Sequence, residues 1–419
     1  MRPDTVEKSA IPRPVWFLGW TSLFTDAATE TIYPLLPVYL SRVLGASAVS
    51  LGIIEGVAEA VNSLLRVASG YWSDRRSRRR PIVIAGYALS SIARPFIALT
   101  TTWPQVLLIR VLDRTGKGIR SAPRDALLAQ FATSTTRGRI FGFHEAMDHV
   151  GAIIGPLVAT VFLFFVPEGY RLLFGLTAIP GAIAVSMLFF VDEDAGPPNP
   201  PTTSHPTTNR TITNHPTTIH HPIPGRLIAL MGVLLVFSLG NSADAFLLLR
   251  LSAALGGATY VPLLWASIHV VKSSLSTWAG TLSDRLGRKQ MIIAGWLVYA
   301  LVYLGFAVST SPRAFIAWFL FYGVYFAFAE GPAKALVADL TPDDRRGAAF
   351  GVYNATIGIG ALIASIVFGY VYEHFSAPAA FTMGASLAGA AAVLLLFVRT
   401  NPEPRTELEH EPRTRNREA

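Results

Sequence analysis

Long apolar stretches of similar length alternate with short polar connections along this chain. A helix needs about 20 mostly apolar residues to cross roughly 30 Å of hydrocarbon. Twelve stretches meet that length: 15–41, 48–72, 82–101, 104–131, 139–166 and 171–191, then 225–251, 259–283, 290–309, 313–339, 347–374 and 378–398. In lipid every backbone amide must pair internally, which leaves helices or a closed barrel, and barrel-type alternation is absent. The pattern therefore predicts an all-α integral membrane protein of twelve transmembrane helices. They fall into two six-helix bundles, 15–191 and 225–398, with tails at 1–14 and 399–419 and a linker at 192–224.

The polar connections set orientation. Lys and Arg crowd the 75–80 segment (RRSRRR), Arg137 and Arg139, the 285–289 segment (RLGRK), and Arg345 with Arg346. The opposite connections hold only Arg42, Arg171 and Arg313. Basic loops stay on the cytoplasmic side, so both termini and the linker are placed there, in an inner-membrane protein. The N-terminal 14 residues lack the short apolar core and cleavage site of a signal peptide and read as a retained tail. The linker is rich in Pro, Thr, Asn and His and reads as a flexible tether, its His205, His215, His220 and His221 belonging to that composition rather than to a metal site.

Composition narrows the function classes. Charged residues are 15% of the chain, against roughly 25% in soluble domains, and hydrophobic residues are 51%. The net charge of +8 sits in loop clusters rather than on one polar face, which argues against nucleic-acid binding. With no Cys, a disulfide framework or thiolate metal site is excluded. No phosphate-binding loop is present, so an ion gradient rather than a nucleotide or cofactor is the expected energy source.

The two halves repeat. GYWSDRRSRRR from Gly70 matches GTLSDRLGRKQ from Gly280, and PRDALLAQFATSTTRGRIFG from Pro123 matches PAKALVADLTPDDRRGAAFG from Pro332 without a gap. Such a pseudo-twofold pair places a solute path between the halves, near the bilayer midplane.

On these motifs the chain resembles the major facilitator superfamily. The family's loop signature, Gly-x-Leu-Ala-Asp-Arg-x-Gly-Arg-Lys, is reproduced from Gly280 through Asp284, Arg285, Gly287 and Arg288 to Lys289, with Ser283 at the Ala position. The first copy keeps Gly70, Asp74, Arg75 and Arg78 but has Trp72 for Leu and Ser77 for the second Gly. The resemblance implies that these residues, with Asp125, latch the cytoplasmic side when the transporter is open outward. Arg114-Thr115-Gly116-Lys117-Gly118 is similar to the family's Arg-x-x-Gln-Gly pattern, whose Arg is associated with proton coupling. Gly151-Ala152-Ile153-Ile154-Gly155-Pro156 is similar to the Gly-x-x-x-Gly-Pro pattern of exporters, although Leu157 and Val158 stand where Gly-Gly should follow. As plain chemistry, Gly151, Gly155 and Pro156 read as a close helix-packing motif.

Ionisable residues inside the spans are expensive and want partners or a water path. Span 1 holds Asp26 and Glu30 on one helical face. Span 2 carries a stripe of Glu55, Glu59, Asn62 and Arg66. Span 4 carries Arg110, Asp113, Arg114 and Lys117, and span 5 carries His144, Glu145, Asp148 and His149. The second half is sparser, with Asp244, His269, Lys272, Glu330, Lys334 and Asn354. The plainest expectation is mutual neutralisation, with Arg110, Arg114 and Lys117 opposite Asp26, Glu30, Glu55 or Glu59. Asp26, Glu30, Arg114 and Asp148 lie deepest and are the proton-coupling candidates, Arg114 serving as counter-charge to a carboxylate of span 1. The others are candidate cavity or substrate residues, and His149 and His269 are candidate relays. Aromatic residues of the second half, Trp265 and Tyr299 to Phe328, read mainly as packing.

The leading expectation is a monomeric secondary transporter coupling proton entry to export of a small polar or amphipathic molecule. Uptake of an organic anion is the alternative, suggested by the cations of span 4. An intramembrane metal enzyme at His144, Asp148 and His149 is disfavoured, because His149 is turned roughly 100° from Asp148 on the helix.

Overall fold

The structure is a computed structural model in which residues 11–74, 78–133, 136–193, 225–341 and 346–398 are described. Arg75, nearly all of the linker with its four histidines, and most of both tails lie outside them, as do the side chains of Asp74 and Asp284.

Twelve helical crossings follow one another. In the first half, α1 is Arg13–Ile32 prolonged by tight turns through 43, α2 is Ala48–Asp74, and α3 is Arg80–Ala93 prolonged by Arg94–Leu99. Then come α4 (Trp103–Gln130), α5 (Arg137–Phe165) and α6, made of Tyr170–Leu176 and Ala178–Leu188. In the second half, α7 is Gly225–Gly240 plus Ala245–Ala254, α8 is Val261–Leu286 and α9 is Arg288–Val308. The last three are α10 (Pro312–Asp339), α11 (Arg346–His374) and α12 (Ala377–Phe397). Nine of the twelve are long and apolar enough on their own to count as spans among the described residues. The exceptions, α1, α4 and α8, all carry interior polar residues, as several of the nine also do. Four spans expected as single helices are interrupted or tightened: α1, α3, α6 and α7.

Helix ends are set by local chemistry, repeated between halves. At one end of the molecule Ser311 and Ser376 accept hydrogen bonds from Ala314 N (3.3 Å) and Ala379 N (3.1 Å), each followed by a proline in the first turn. At the other end, which carries the basic loops, cations cover the last carbonyls of the neighbouring helix. Arg80 donates to Leu188 and Phe189 O (3.1 and 2.6 Å), and Lys289 to Leu396 and Val398 O (2.8 and 2.9 Å). Gly287, at φ +98°, makes the one-residue break between α8 and α9.

Small residues then let helices approach closely. Gly151 and Gly155 of α5 lie against the carbonyls of Leu23 and Ala27 of α1. In α4, Gly116 meets Gly86 and Ser90 of α3, and Gly118 meets Asn62 and Leu65 of α2, so α4 is wedged between both. The second bundle is filled by aromatic rings instead: Phe237 stacks on Trp296 at 4.5 Å and Tyr299 on Tyr303 at 4.1 Å, with Tyr322 and Tyr325 beside them, all buried.

The bundles meet mainly along α2 and α11. Ala48 faces Gly369, Gly52 faces Ser365, Gly56 faces Leu362 and Ser63 faces Gly358. Toward the basic end this seam loosens: a Cβ at Gly351 would meet Val67 at 3.6 Å, and one at Gly347 would meet nothing within 4 Å among the described residues. Residues 33–38 of α1 contact Ala245–Ala254 of α7 at the opposite end. The interbundle seam is therefore tight at the end away from the basic loops and loose at the basic end.

Candidate functional site: an interior charge network

Four buried charged groups from three helices of the first bundle form one chain. Arg94, at the end of α3, donates to Asp113 Oδ1 of α4 from Nη2 (3.0 Å) and Nε (3.3 Å), and to Thr25 O of α1 from Nη1 (3.3 Å). Arg110, one turn from Asp113, reaches both oxygens of Glu55 on α2 (2.8 and 2.9 Å) and lies 3.7 Å from Asp113 Oδ2. The side chains are 4–7% exposed, so the two cations and two anions cancel inside the protein. Nearby, Arg120 donates to Ser90 Oγ (2.9 Å) and lies over the Tyr87 ring at 4.1 Å. Arg94 was not among the residues singled out by sequence. It is the one cation in the apolar run 82–93 plus its 3-10 extension to Leu99, a signal that stripe spacing within one helix overlooks.

The remaining groups are engaged differently. Glu59 accepts from Asn62 (3.2 Å) and Ser63 (3.4 Å) of its own helix. On α5, His144 Nδ1 lies 3.7 Å from Asp148 Oδ2, while His144 Nε2 and Asp148 Oδ1 are buried without partners among the described residues. Near the basic end Arg124 pairs with its neighbour Asp125 (2.9 Å). Asp26 makes neither an ion pair nor a hydrogen bond among the described residues. Its electrostatic surroundings are Asp148, Lys117, Glu30 and Arg120. Arg114 forms no ion pair with a carboxylate of α1; its field comes from Asp113, Glu59 and Glu55. The expected pairing of Arg114 with a carboxylate of α1 is thus not formed among the described residues; Lys117, three residues nearer the basic end on the same helix, and Arg120 are the cations of α4 in the electrostatic surroundings of Asp26.

The second bundle adds fewer charges. Its α7 is broken at Asn241–Asp244, where Tyr299 OH donates to the freed Gly240 O (3.0 Å) and the Ser242 hydroxyl bonds Tyr303 OH (3.1 Å). The break presents Asp244, which accepts from Tyr322 OH at 2.7 Å. Glu330 of α10 is bracketed by Lys272 of α8 (2.8 Å) and Lys334 (3.1 Å). Asn354 spends its amide on Phe350 O of its own helix (2.8 Å). His149 and His269 come within electrostatic range of each other across the bundle boundary. One direct bond crosses that boundary in the interior: Trp265 Nε1 donates to Glu30 Oε2 at 2.8 Å.

In the loop motifs, Arg288 pairs with Asp339 (2.6 Å), joining the start of α9 to the end of α10. Arg78 and Arg285 are exposed. A Cβ at Gly70 would lie 3.6 Å from Ala122, and one at Gly280 would meet nothing within 4 Å among the described residues. Among the described residues no group of three or more His, Cys, Asp or Glu is placed to hold a metal ion. Chemically, the interior offers a neutral clamp, a carboxylate (Asp26) with neither ion pair nor hydrogen bond among the described residues, and a cross-bundle hydrogen bond.

Comparison with known proteins agrees with this architecture. The family model described as Major Facilitator Superfamily matches residues 18–222 and 270–418. An uncharacterised MFS-type transporter of Methanocaldococcus jannaschii is 32% identical over 394 residues, covering 93% of this chain and 95% of its own. Among solved structures, a nucleoside transporter superposes with a TM-score of 0.75 at 14% identity, over 91% of this chain and 99% of its own. A D-xylose-proton symporter gives 0.70 at 18%, over 92% and 97%. At these identities the structural likeness is one of fold.

Proposed function

The chain belongs to the Major Facilitator Superfamily and is a membrane transporter, and from that premise we propose that it works by alternating access, coupling proton movement at Asp26 to export of a small polar or amphipathic molecule. The observation that carries the reading is the state of the interior carboxylates. Glu55 and Asp113 are held by arginines, whereas Asp26 has no direct partner among the described residues and shares its surroundings with Lys117. A carboxylate locked to Arg resists protonation; one that shares its surroundings with a lysine without pairing to it can trade a proton against an ion pair. With the basic loops on the cytoplasmic side, the loose basic end corresponds to the state open to the cytoplasm. Export is the direction favoured by the Gly151–Pro156 pattern on α5, which seats that helix on the one bearing Asp26.

The test is reconstitution into liposomes with a trapped pH dye and an imposed proton gradient, followed by addition of pooled metabolites and toxic compounds. Compound-dependent proton flux opposite to the compound, abolished in Asp26→Asn and reduced in Glu30→Gln, is expected. Flux alongside the compound reverses the direction. A compound that stabilises the protein thermally yet moves no protons in any variant sinks the coupling assignment.

A further inference from the structure

We infer that Trp265 is the positioning residue of the gate at the end away from the basic loops. Its indole holds Glu30 across the bundle boundary, while His269 beside it keeps that closure reversible. The inference rests on the alternating-access reading and adds the residues that hold one of its two states.

Trp265 stands near the start of α8, and Glu30 and Tyr33 near the end of the straight part of α1, so all three lie toward the tightly packed end. The indole N–H donates to Glu30 Oε2 at 2.8 Å, and Tyr33 tilts against the indole at 5.2 Å. A hydrogen bond to a carboxylate is roughly twice as strong as one between neutral groups. Nothing else in the interior ties the bundles by a direct polar bond among the described residues. At the surface of the same end, the Val49 N–H at the start of α2 donates to Glu373 of α11 at 3.0 Å, so a second bond across the boundary lies on the same side.

His269 acts against this closure. It lies one turn from Trp265, its ring edge-on to the indole at 5.2 Å. Both ring nitrogens are buried without a hydrogen-bond partner among the described residues. The charged and titratable groups that face it are Glu30 from α1, His149 from α5 and Lys272 from its own helix. An unsatisfied buried polar group is costly, and opening this end returns the imidazole to water. One contact thus contains a term that closes the end and a term that opens it. A boundary that must separate in every cycle needs such near-balance, because each state must stay within a few kcal/mol of the other. Glu30 is also within the electrostatic surroundings of Asp26, one helical turn away, so the gate touches the carboxylate proposed to load the proton.

The chain contains no Cys, so labels can be placed without background. Spin labels at Phe165→Cys and Tyr260→Cys, on exposed ends of α5 and α8, report the distal gap, and a pair at Gly138→Cys and Trp278→Cys reports the basic end. Pulsed distance measurements in lipid nanodiscs would compare wild type with Trp265→Phe, which keeps the ring and removes the donor, and with His269→Phe. Trp265→Phe should raise the ratio of distal-open to distal-closed molecules about tenfold, and His269→Phe should lower it by about threefold or more. Glu30→Gln, which retains an acceptor oxygen, should fall between wild type and Trp265→Phe. Unchanged distances, or shifts of the same sign in Trp265→Phe and His269→Phe, overturn the gate. Distal opening without reciprocal closing at Gly138 and Trp278 instead overturns alternating access while leaving the gate contact standing.

Discussion

Arg94→Leu probes the buried clamp most directly. In the native protein, Glu55, Arg110, Asp113 and Arg94 sum to zero charge, and each is nearly inaccessible. Removing Arg94 leaves Asp113 with Arg110 at 3.7 Å, and Arg110 already gives Nη2 to both oxygens of Glu55. One negative charge then loses its direct ion-pair partner inside the bundle, and Thr25 O is left with the Thr29 hydroxyl as its side-chain donor. Breaking a buried pair from one side costs about 3–5 kcal/mol. Asp113→Asn leaves the opposite imbalance and should cost a similar amount. The double variant Arg94→Leu/Asp113→Asn restores neutrality, and neutral replacement of a buried pair is often close to free. The cycle therefore predicts a double variant within about 2 kcal/mol of wild type, far below the roughly 6–10 kcal/mol that additivity requires. Reversible unfolding in mixed micelles, followed by the fluorescence of the eight tryptophans, measures all four corners. An additive double variant would refute the claim that these residues act as one charge-neutral unit.

Other outcomes follow from the same geometry. Gly155→Leu must push α1 away from α5, because its side chain enters the space of Ala27 O and Thr31 N. Its yield of folded protein should collapse, whereas Gly138→Ala, with nothing within 4 Å, should express like wild type. Gly287→Ala forces a side chain into φ +98° and against Gln290, and should lower stability by about 1–3 kcal/mol in the same unfolding assay. Arg288→Ala breaks a half-exposed pair with Asp339 and should cost less than about 1 kcal/mol of stability. A large loss there would mean that the pair is sealed from solvent.

The twelve crossings were legible because their lengths and loop charges repeat, even where hydropathy alone is insufficient. In α4 the run from Arg110 to Asp125 holds seven ionisable groups, yet the stretch 104–131 has the length of a span and its end repeats in the second half. Which partner each charge takes was not legible. Periodicity along one helix tells which residues share a face, but the rotation of that face toward a neighbour is set by how the helices pack. Here Gly116 and Gly118 set it by drawing α4 against α3 and α2, which delivers Arg110 to Glu55 and Asp113 to Arg94 and leaves Lys117 and Arg120 as the cations in the surroundings of Asp26. The same limit hid Trp265, whose spacing reads as one more packing aromatic until α8 is placed against Glu30 of the other bundle.

The repeat itself also divides once packing is known. In the gapless match from Pro123 and Pro332, Gln130 falls in register with Asp339, and Arg78 with Arg288 through the loop copies. The second half uses this pair as an ion pair, whereas the first half has no carboxylate at the matching place and leaves Gln130 Oε1 buried without a partner among the described residues. At this position a polar clip joins helix start to helix end in the second bundle only. In the first bundle, Glu193 accepts instead from Arg79 N (2.7 Å) and Arg80 N (3.3 Å), tying the start of α3 to the segment after α6. The two halves thus solve one packing problem with different pairs of helices. Substituting Gln130→Glu should add a salt bridge to Arg78 only if the first bundle can close in the manner of the second. A stability gain that disappears in Arg78→Ala would show that it can, and no gain would show that the Glu193 contact has replaced that closure.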